Sequence, residues 1–533
     1  MARQTNSRGL GFLKVALLLF FLFAVALPLV EMFSRLADPQ VQKVFGTSAF
    51  AEACVNSLVV AAATTVVSVL AALLMSWVLC RTTIHGKGVF AVLLTVPMLV
   101  PSLAHGMSLV YLLGSNGILT NLLHGSWSIY GVPGIVLGSF LYSFPPAFLM
   151  IYDVMRYEDA TPYQAADVLG IPRPSQFAHI TLPFLRKPLI SAAFATFALV
   201  ITDYGVPLMV GGKVMTLPVL MYQNAVGLLD FDTGAAIGFV LLIPAVIDFL
   251  VDVLARDRPS ARYVSRGFDL KPSMVRDAVG YVAAVLVTFV LLAPIVTFCM
   301  VSFMTKYPID LTPTFANVVR AFTMGAGSYW VNSLFIALVV SILGTILAYL
   351  VAYITARVGG ASAHLLHLAS VTTLAVPGIV LGLSFALAFK GSPIYGTFAI
   401  LILVNLVHFI ASPYLMAYNS LSKVNKNLEA VGQTMGVSRV RIVLDVLVPE
   451  TSDTIAEMFS FFFVNCMVTI SAVSFLSTTL DMPLALLVTD LDAQRLVECS
   501  ALVAVLILIT NIVEKGAVAA VRRRRSARQS VSR

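Results

Sequence analysis

Residues of this chain that could do chemistry are few, and the most telling of them come as a pair of motifs. Gln164-Ala165-Ala166 is followed after three residues by Gly170, and then by Ile180, Leu182 and Pro183. The same spacing returns 266 residues later as Ala430-Val431-Gly432, Gly436, Val446, Val448 and Pro449, with Glu429 one position ahead of it. Neither copy offers a nucleophile, an acid–base pair or a metal-ligand set. Ala165, Ala166, Val168 and Leu169 are compatible with a short helix that Gly170, Pro172 and Pro174 terminate, and Pro183 and Pro188 start the chain into the next apolar segment. Small residues let another backbone approach closely, so the chemistry on offer is docking. An ordinary amphipathic loop helix is the plain alternative. The repeated spacing, in polar and basic segments between apolar stretches, speaks against it.

Signatures of catalysis are missing elsewhere. No G-x4-G-K-[ST] phosphate loop occurs, since Gly211-Gly212-Lys213 runs into Val214, and neither H-E-x-x-H nor G-x-S-x-G is present. Cys54, Cys80, Cys299, Cys466 and Cys499 are dispersed, without metal-ligand or disulfide spacing, and read as small packing residues. No metal site, no bound cofactor and no catalytic residue are expected.

The elements that must carry the motifs are membrane helices. Of 533 residues 59% are hydrophobic and 11% charged, whereas soluble domains carry about 25% charge. Apolar runs near 20 residues recur, about the length needed to span a hydrocarbon core of roughly 30 Å, and the alternation of a transmembrane strand is missing. The fold class is an all-α polytopic membrane protein. The pattern predicts twelve spans, near 12–33, 54–80, 89–113, 131–155, 188–210, 233–255, 277–303, 331–356, 364–389, 397–421, 454–477 and 497–519. Arg3, Arg8 and Lys14 ahead of the first run could mark a secretory signal, with Ala24-x-Ala26 as a cleavage site. That site falls inside the run, which argues for an uncleaved first span.

Charge tests the count independently. With a cytoplasmic N-terminus, all of the 34 Lys and Arg residues except Arg35, Lys43, Lys213, Lys306, Arg320, Lys390 and Arg495 fall on the cytoplasmic side. This is the positive-inside bias, and it places both termini in the cytoplasm. It also accounts for the net charge of +8 without a nucleic-acid partner. The bilayer is the first expected partner, and Arg522–Arg525 reads as a last anchor.

Further repeats mark a duplication. Val55-Asn56-Ser57-Leu58 recurs as Val331-Asn332-Ser333-Leu334. Val100-Pro101 with Gly106 and Ser108 recurs as Val376-Pro377 with Gly382 and Ser384, and Tyr130-Gly131 recurs as Tyr395-Gly396. An even number of spans separates the copies, so the halves are parallel repeats about an axis along the membrane normal. The expected organisation is a first half over 1–255 with its loop at about 156–187, and a linker over 256–276 rich in Arg and Lys. A second half follows over 277–520 with its loop at about 422–453, and a basic tail over 521–533.

On these residues the chain resembles the fused membrane subunit of bacterial binding-protein-dependent ABC importers of type I, the molybdate- and methionine-importer-like class. The hallmark of that family is the EAA loop, Glu-Ala-Ala-x3-Gly-x9-Ile-x-Leu-Pro. The resemblance covers essentially the whole sequence and implies the type I importer fold, two repeats of six spans. It implies that Gln164–Gly170 and Ala430–Gly436 are coupling helices seated on two copies of a cytoplasmic ATPase subunit, which bind the ATP. A periplasmic or extracellular solute-binding protein would deliver the cargo. The chain departs from the pattern at the leading acidic position, which is Gln164 in one copy and Ala430 in the other. Glu429, Glu158 and Asp159 lie nearby, so the two docks are expected to be unequal.

Ionisable groups inside spans default to functional hypotheses. Since span five of each half lines the pathway in this family, Asp203 and Tyr204 are pathway or gate candidates, with an interfacial Asp as the plain alternative for Asp203. Asn465 and Thr469 occupy the matching region of the second half. His408 is expected in an interhelical hydrogen bond, and Glu457 at the cytoplasmic cap of its helix. Asp203–Gly212 and Phe463–Val473 look most like 2-aminoethylphosphonate permeases, with ferric iron permeases next, so the expected cargo is a small polar solute of one of these kinds. The alternative class is an ion-coupled secondary transporter, which would not need duplicated docking loops.

Overall fold

The computed structural model describes residues 2–255, 267–425 and 427–531. Arg256, Arg258, Arg262 and Arg266 of the expected linker, together with Lys426, lie outside the described residues. Among the described residues the structure is helical apart from one short hairpin, Met304–Lys306 paired antiparallel with Asp310–Pro313.

Eight helices are long and apolar enough to cross a membrane alone, and three bent helix pairs raise the number to as many as eleven, against the twelve expected. The shortfall falls on 454–477. There the helix Ser452–Val468 has 17 residues, about 26 Å at 1.5 Å per residue, and the chain continues in turns. Its counterpart in the first half, Arg173–Ile201, is unbroken over 29 residues.

The expected third and ninth spans are each two helices, bent by 101° and 107°. Both breaks fall on the repeated Val-Pro pair. Val100 (φ −124°, ψ 141°) and Val376 (φ −108°, ψ 108°) are extended. Proline excludes the helical region for the residue before it and brings no N–H of its own. The helices that restart, Ser102–Leu113 and Gly378–Phe389, are buried on nearly every face. Repeated Gly106 and Gly382 explain how: a Cβ would meet Met209 Cβ at 2.7 Å in the first case and the Ala472 carbonyl oxygen at 2.6 Å in the second.

Two compact units emerge, and they divide the chain differently from the two sequence halves. One comprises Phe45–Leu220 and Ile243–Asn317; the other comprises Met1–Val44, Met221–Leu242 and Val318–Arg533. Each unit therefore holds the body of one repeat and the first span of the other. In the former, Asp277 at the start of the helix Met274–Ser302 accepts hydrogen bonds from Thr83 N (2.9 Å) and Thr83 Oγ1 (2.5 Å), and Gly280 lets that helix approach Thr82. In the latter, Lys14 on the N-terminal helix donates to the Gly359 carbonyl oxygen at 3.1 Å, and Phe23 packs on Phe389. Thr83 and Gly359 occupy equivalent positions, so both exchanged spans are pinned at the same point of the repeat.

Candidate functional site

Each unit presents one copy of the motif as a short helix, Thr161–Val168 in one and Asn427–Thr434 in the other. Both end in the same way. Gly170 (φ +68°) and Gly436 (φ +73°) turn left-handed, and the following amides reach back to close the last turn, Ile171 N to Ala166 O and Val437 N to Gly432 O, each at 2.9 Å. This is the glycine-terminated helix end in which orphan carbonyls find partners. A Cβ on either glycine would meet nothing within 4 Å, so the backbone conformation, rather than crowding, demands glycine here.

The motif's remaining residues sort by direction. Gln164, Ala165, Ala430 and Val431 are exposed, whereas Ala166 is buried against its own unit and Gly432 is half-buried. Next to each glycine stands a large apolar side chain in the open: Leu169 and Met435 are each 75% exposed, and Val168 is 88% exposed. Large apolar groups on a polar loop mark a contact surface better than scattered exposed residues on a lipid-facing helix.

Below the helix the two copies differ. Gln176 donates to Asp167 Oδ1 (2.7 Å) and to the Ile171 carbonyl oxygen (2.9 Å). At the equivalent place Ile442 packs so tightly on Gly432 that a methyl group there would run into it. The Ile-x-Leu-Pro end of the motif has a structural meaning that its spacing alone did not convey. Phe177–Thr181 and Val443–Leu447 are π-turns, with Leu182 N bonded to Phe177 O and Val448 N to Val443 O. Pro183 and Pro449 follow directly, and each lacks the N–H that would continue the regular ladder. Ile180 and Val446 lie in these turns, while Leu182 and Val448 open the helices that follow.

A buried arginine holds each motif helix. Arg81, last residue of Ser48–Arg81, pairs with Glu158, and Tyr163 donates to the other Glu158 oxygen and bonds Thr181 Oγ1 at 2.6 Å. The guanidinium also lies 3.2 Å from the Phe268 ring centroid and 5.1 Å from that of Tyr163. Burial pushes the Glu158 carboxyl up, against the Tyr163 hydrogen bond and the Arg81 charge. Burial and the bond to Glu158 push the Tyr163 phenol up to about 12, which keeps it a donor at neutral pH.

Arg357 is the equivalent residue of the other unit, its side chain 1% exposed. It holds Glu429 through two nitrogens, with Nε to Oε1 at 2.6 Å. It also donates to the carbonyl oxygens of Leu421 (3.3 Å), Val424 (2.6 Å) and Asn425 (2.8 Å). Glu429 thus turns inward, away from the exposed Ala430 and Val431. Arg81, Arg357 and Tyr163 were missed in sequence, although the two arginines stand 276 residues apart, the same offset as Val55 and Val331.

The pathway candidates separate. Asp203, half-buried, accepts from Ser102 Oγ at 2.7 Å and from Val206 N at 3.0 Å, so it caps the helix Gly205–Val210 and ties it to the restart of the broken third span. Tyr204 is 1% exposed, a packing residue in this conformation. In the other unit Asn465 donates back to the Phe461 carbonyl oxygen of its own helix at 2.8 Å, and Thr469, buried, ends that helix. His408 makes no interhelical bond through Nδ1, which has no partner, and its ring packs against Gly378. Glu457 receives Arg522 Nη1 at 2.7 Å, an ion pair with the last helix in place of a simple cap. Among the described residues no group of three or more His, Cys, Asp or Glu could hold a metal ion.

Residues 85–258 and 344–527 each match the family described as binding-protein-dependent transport system inner membrane component. The chain belongs to this family. The two matched segments each contain one motif helix with its π-turn, so the repeat read from the sequence is the family's own unit, present twice. The ferric transport system permease of Actinobacillus pleuropneumoniae is 25% identical over 87% of this chain and 71% of its own length. A putative ferric transport system permease of Haemophilus influenzae is 24% identical over 87% of this chain and 77% of its own length. A sulfate transport system permease of Synechocystis matches 46% of this chain and 93% of itself at 26% identity, the proportions expected of a single-repeat relative. The chain is a multi-pass permease of the inner membrane.

Proposed function

We propose that this permease forms the pathway of an importer driven by ATP hydrolysis on separate subunits, and that the helices Thr161–Val168 and Asn427–Thr434 dock on two copies of a cytoplasmic ATPase. The observation that carries this reading is the duplicated, glycine-terminated helix with Leu169 or Met435 standing exposed beside it. A transporter driven by an ion gradient has no use for two such surfaces. The basic bias of the loops supports a cytoplasmic position for both docks and both termini. A solute-binding protein delivers cargo from the opposite side. The chain itself needs no cofactor, and ATP is held by the partners.

For the cargo, the names of the two relatives that match most of the chain favour ferric ion over the 2-aminoethylphosphonate class that Asp203–Gly212 and Phe463–Val473 resemble. Asp203, bridged to Ser102, serves as a gate tie between the end of the unbroken fifth span and the restart of the broken third, with Tyr204 packed behind it; Asn465 and Thr469 stand at the matching place of the other unit.

The test is purification of the chain with a candidate importer ATPase subunit from the same genome, followed by uptake of radiolabelled ferric ion and of 2-aminoethylphosphonate into proteoliposomes supplied with the binding protein. ATP-dependent uptake of ferric ion alone is expected. Uptake of the phosphonate alone overturns the cargo, and uptake without any ATPase makes the protein an ion-coupled transporter.

A further inference from the structure

Each docking helix is fastened to its unit by one buried arginine at the end of the unit's long helix, Ser48–Arg81 or Ala326–Val358. We infer that Arg81 and Arg357 are positioning residues that transmit movement of the docking helix to these membrane helices, so that coupling between partner and pathway depends on them as well as on the docking surface. This rests on the proposed docking function and extends it.

The geometry supports a rigid link. Arg357 joins three elements at once: its own helix, the carbonyls of Leu421, Val424 and Asn425 at and just past the end of Ala411–Lys423, and Glu429 in the docking helix. A planar guanidinium fixes all of these directions together, which a lysine ammonium cannot do. Position 163 is equivalent to position 429. There Tyr163 reaches the repeated arginine indirectly, by donating to Glu158 and by lying beside the guanidinium. The acidic group has moved from one place in the sequence to another while the contact to the arginine has been kept.

The two links are also built differently. Arg81 has one acid and two aromatic rings, and an ammonium group could still satisfy these through charge and cation–π attraction. Arg357 has a bidentate acid and three carbonyls, which an ammonium could not. Lysine should therefore be tolerated at 81 and not at 357.

The experiment uses the full complex in proteoliposomes with its binding protein loaded with ferric ion. Two quantities are read for each variant: the amount of ATPase that co-purifies, and the factor by which the loaded binding protein stimulates ATP hydrolysis. Arg357→Lys and Glu429→Gln should retain the ATPase while stimulation falls by about tenfold, within the range of coupling between distant sites. Arg81→Lys should keep most of the stimulation, and Tyr163→Phe should lose part of it. Unchanged stimulation in Arg357→Lys and Glu429→Gln overturns the inference. Loss of the ATPase itself also overturns it, because the arginine would then only shape the dock. Should Arg357→Lys not accumulate in the membrane, Glu429→Gln and Tyr163→Phe, which nearly conserve volume, decide the matter. A wild-type complex that binds no ATPase refutes the docking function instead.

Discussion

Gly170 and Gly436 are required for their backbone alone, and this can be separated from every other reason for a glycine. With open space around each, alanine should cost about 1 kcal/mol through the left-handed conformation, read as a lower midpoint in thermal unfolding of the complex. Asparagine, which tolerates that conformation, should cost less. Equal penalties for alanine and asparagine would mean that something else demands glycine. Gly432 is the opposite case, since its backbone is helical and the space is taken by Ile442. Gly432→Ala should destabilise by roughly 1–3 kcal/mol, the usual penalty for overpacking, and Ile442→Val should recover part of it. Additive losses in the double variant would contradict the contact.

At the scale of elements, the Val-Pro breaks and the π-turns decide how the docking loops meet the membrane helices. A regular helix in place of the π-turn Phe177–Thr181 would rotate the chain before it by about 100°, one residue's worth. Pro183→Ala and Pro449→Ala restore the missing N–H and should allow this. The expected outcome is normal accumulation with reduced stimulation of ATP hydrolysis by the binding protein; unchanged stimulation would show that the turn has no part in coupling.

Much of this scale was legible beforehand. Apolar length anticipated the eight long helices and the three bent pairs, because it follows from the bilayer as solvent. The repeated Val100-Pro101 and Val376-Pro377 were noticed as repeats but taken as lying within continuous spans, since hydropathy averages over a bend. The docking helices and their glycine ends followed from local rules. Their attachment did not, because Arg81 meets Glu158 and Arg357 meets Glu429 across more than 70 residues, and only the shared offset of the two arginines hinted at it. The side on which Glu429 faces depended on that same long-range contact.

For the molecule as a whole, the exchange of first spans between the two compact units has its own consequence. The ties from Asp277 to Thr83 and from Lys14 to Gly359 each join the first span of one half to the body of the other half. Two halves expressed as separate chains should therefore associate, and neither should be stable alone. Thermal unfolding of each half against the mixture checks this, and an independently stable half would refute it.

The central claim, that two exposed surfaces receive a separate ATPase, is tested most directly by charge placed on them. Leu169→Asp and Met435→Asp alter side chains that are already largely in solvent, so the permease should fold as before. The measurement is ATP hydrolysis by the purified complex in proteoliposomes, with and without loaded binding protein. The account predicts that either substitution abolishes stimulation and that the pair together releases the ATPase. Full stimulation in the double variant would contradict it.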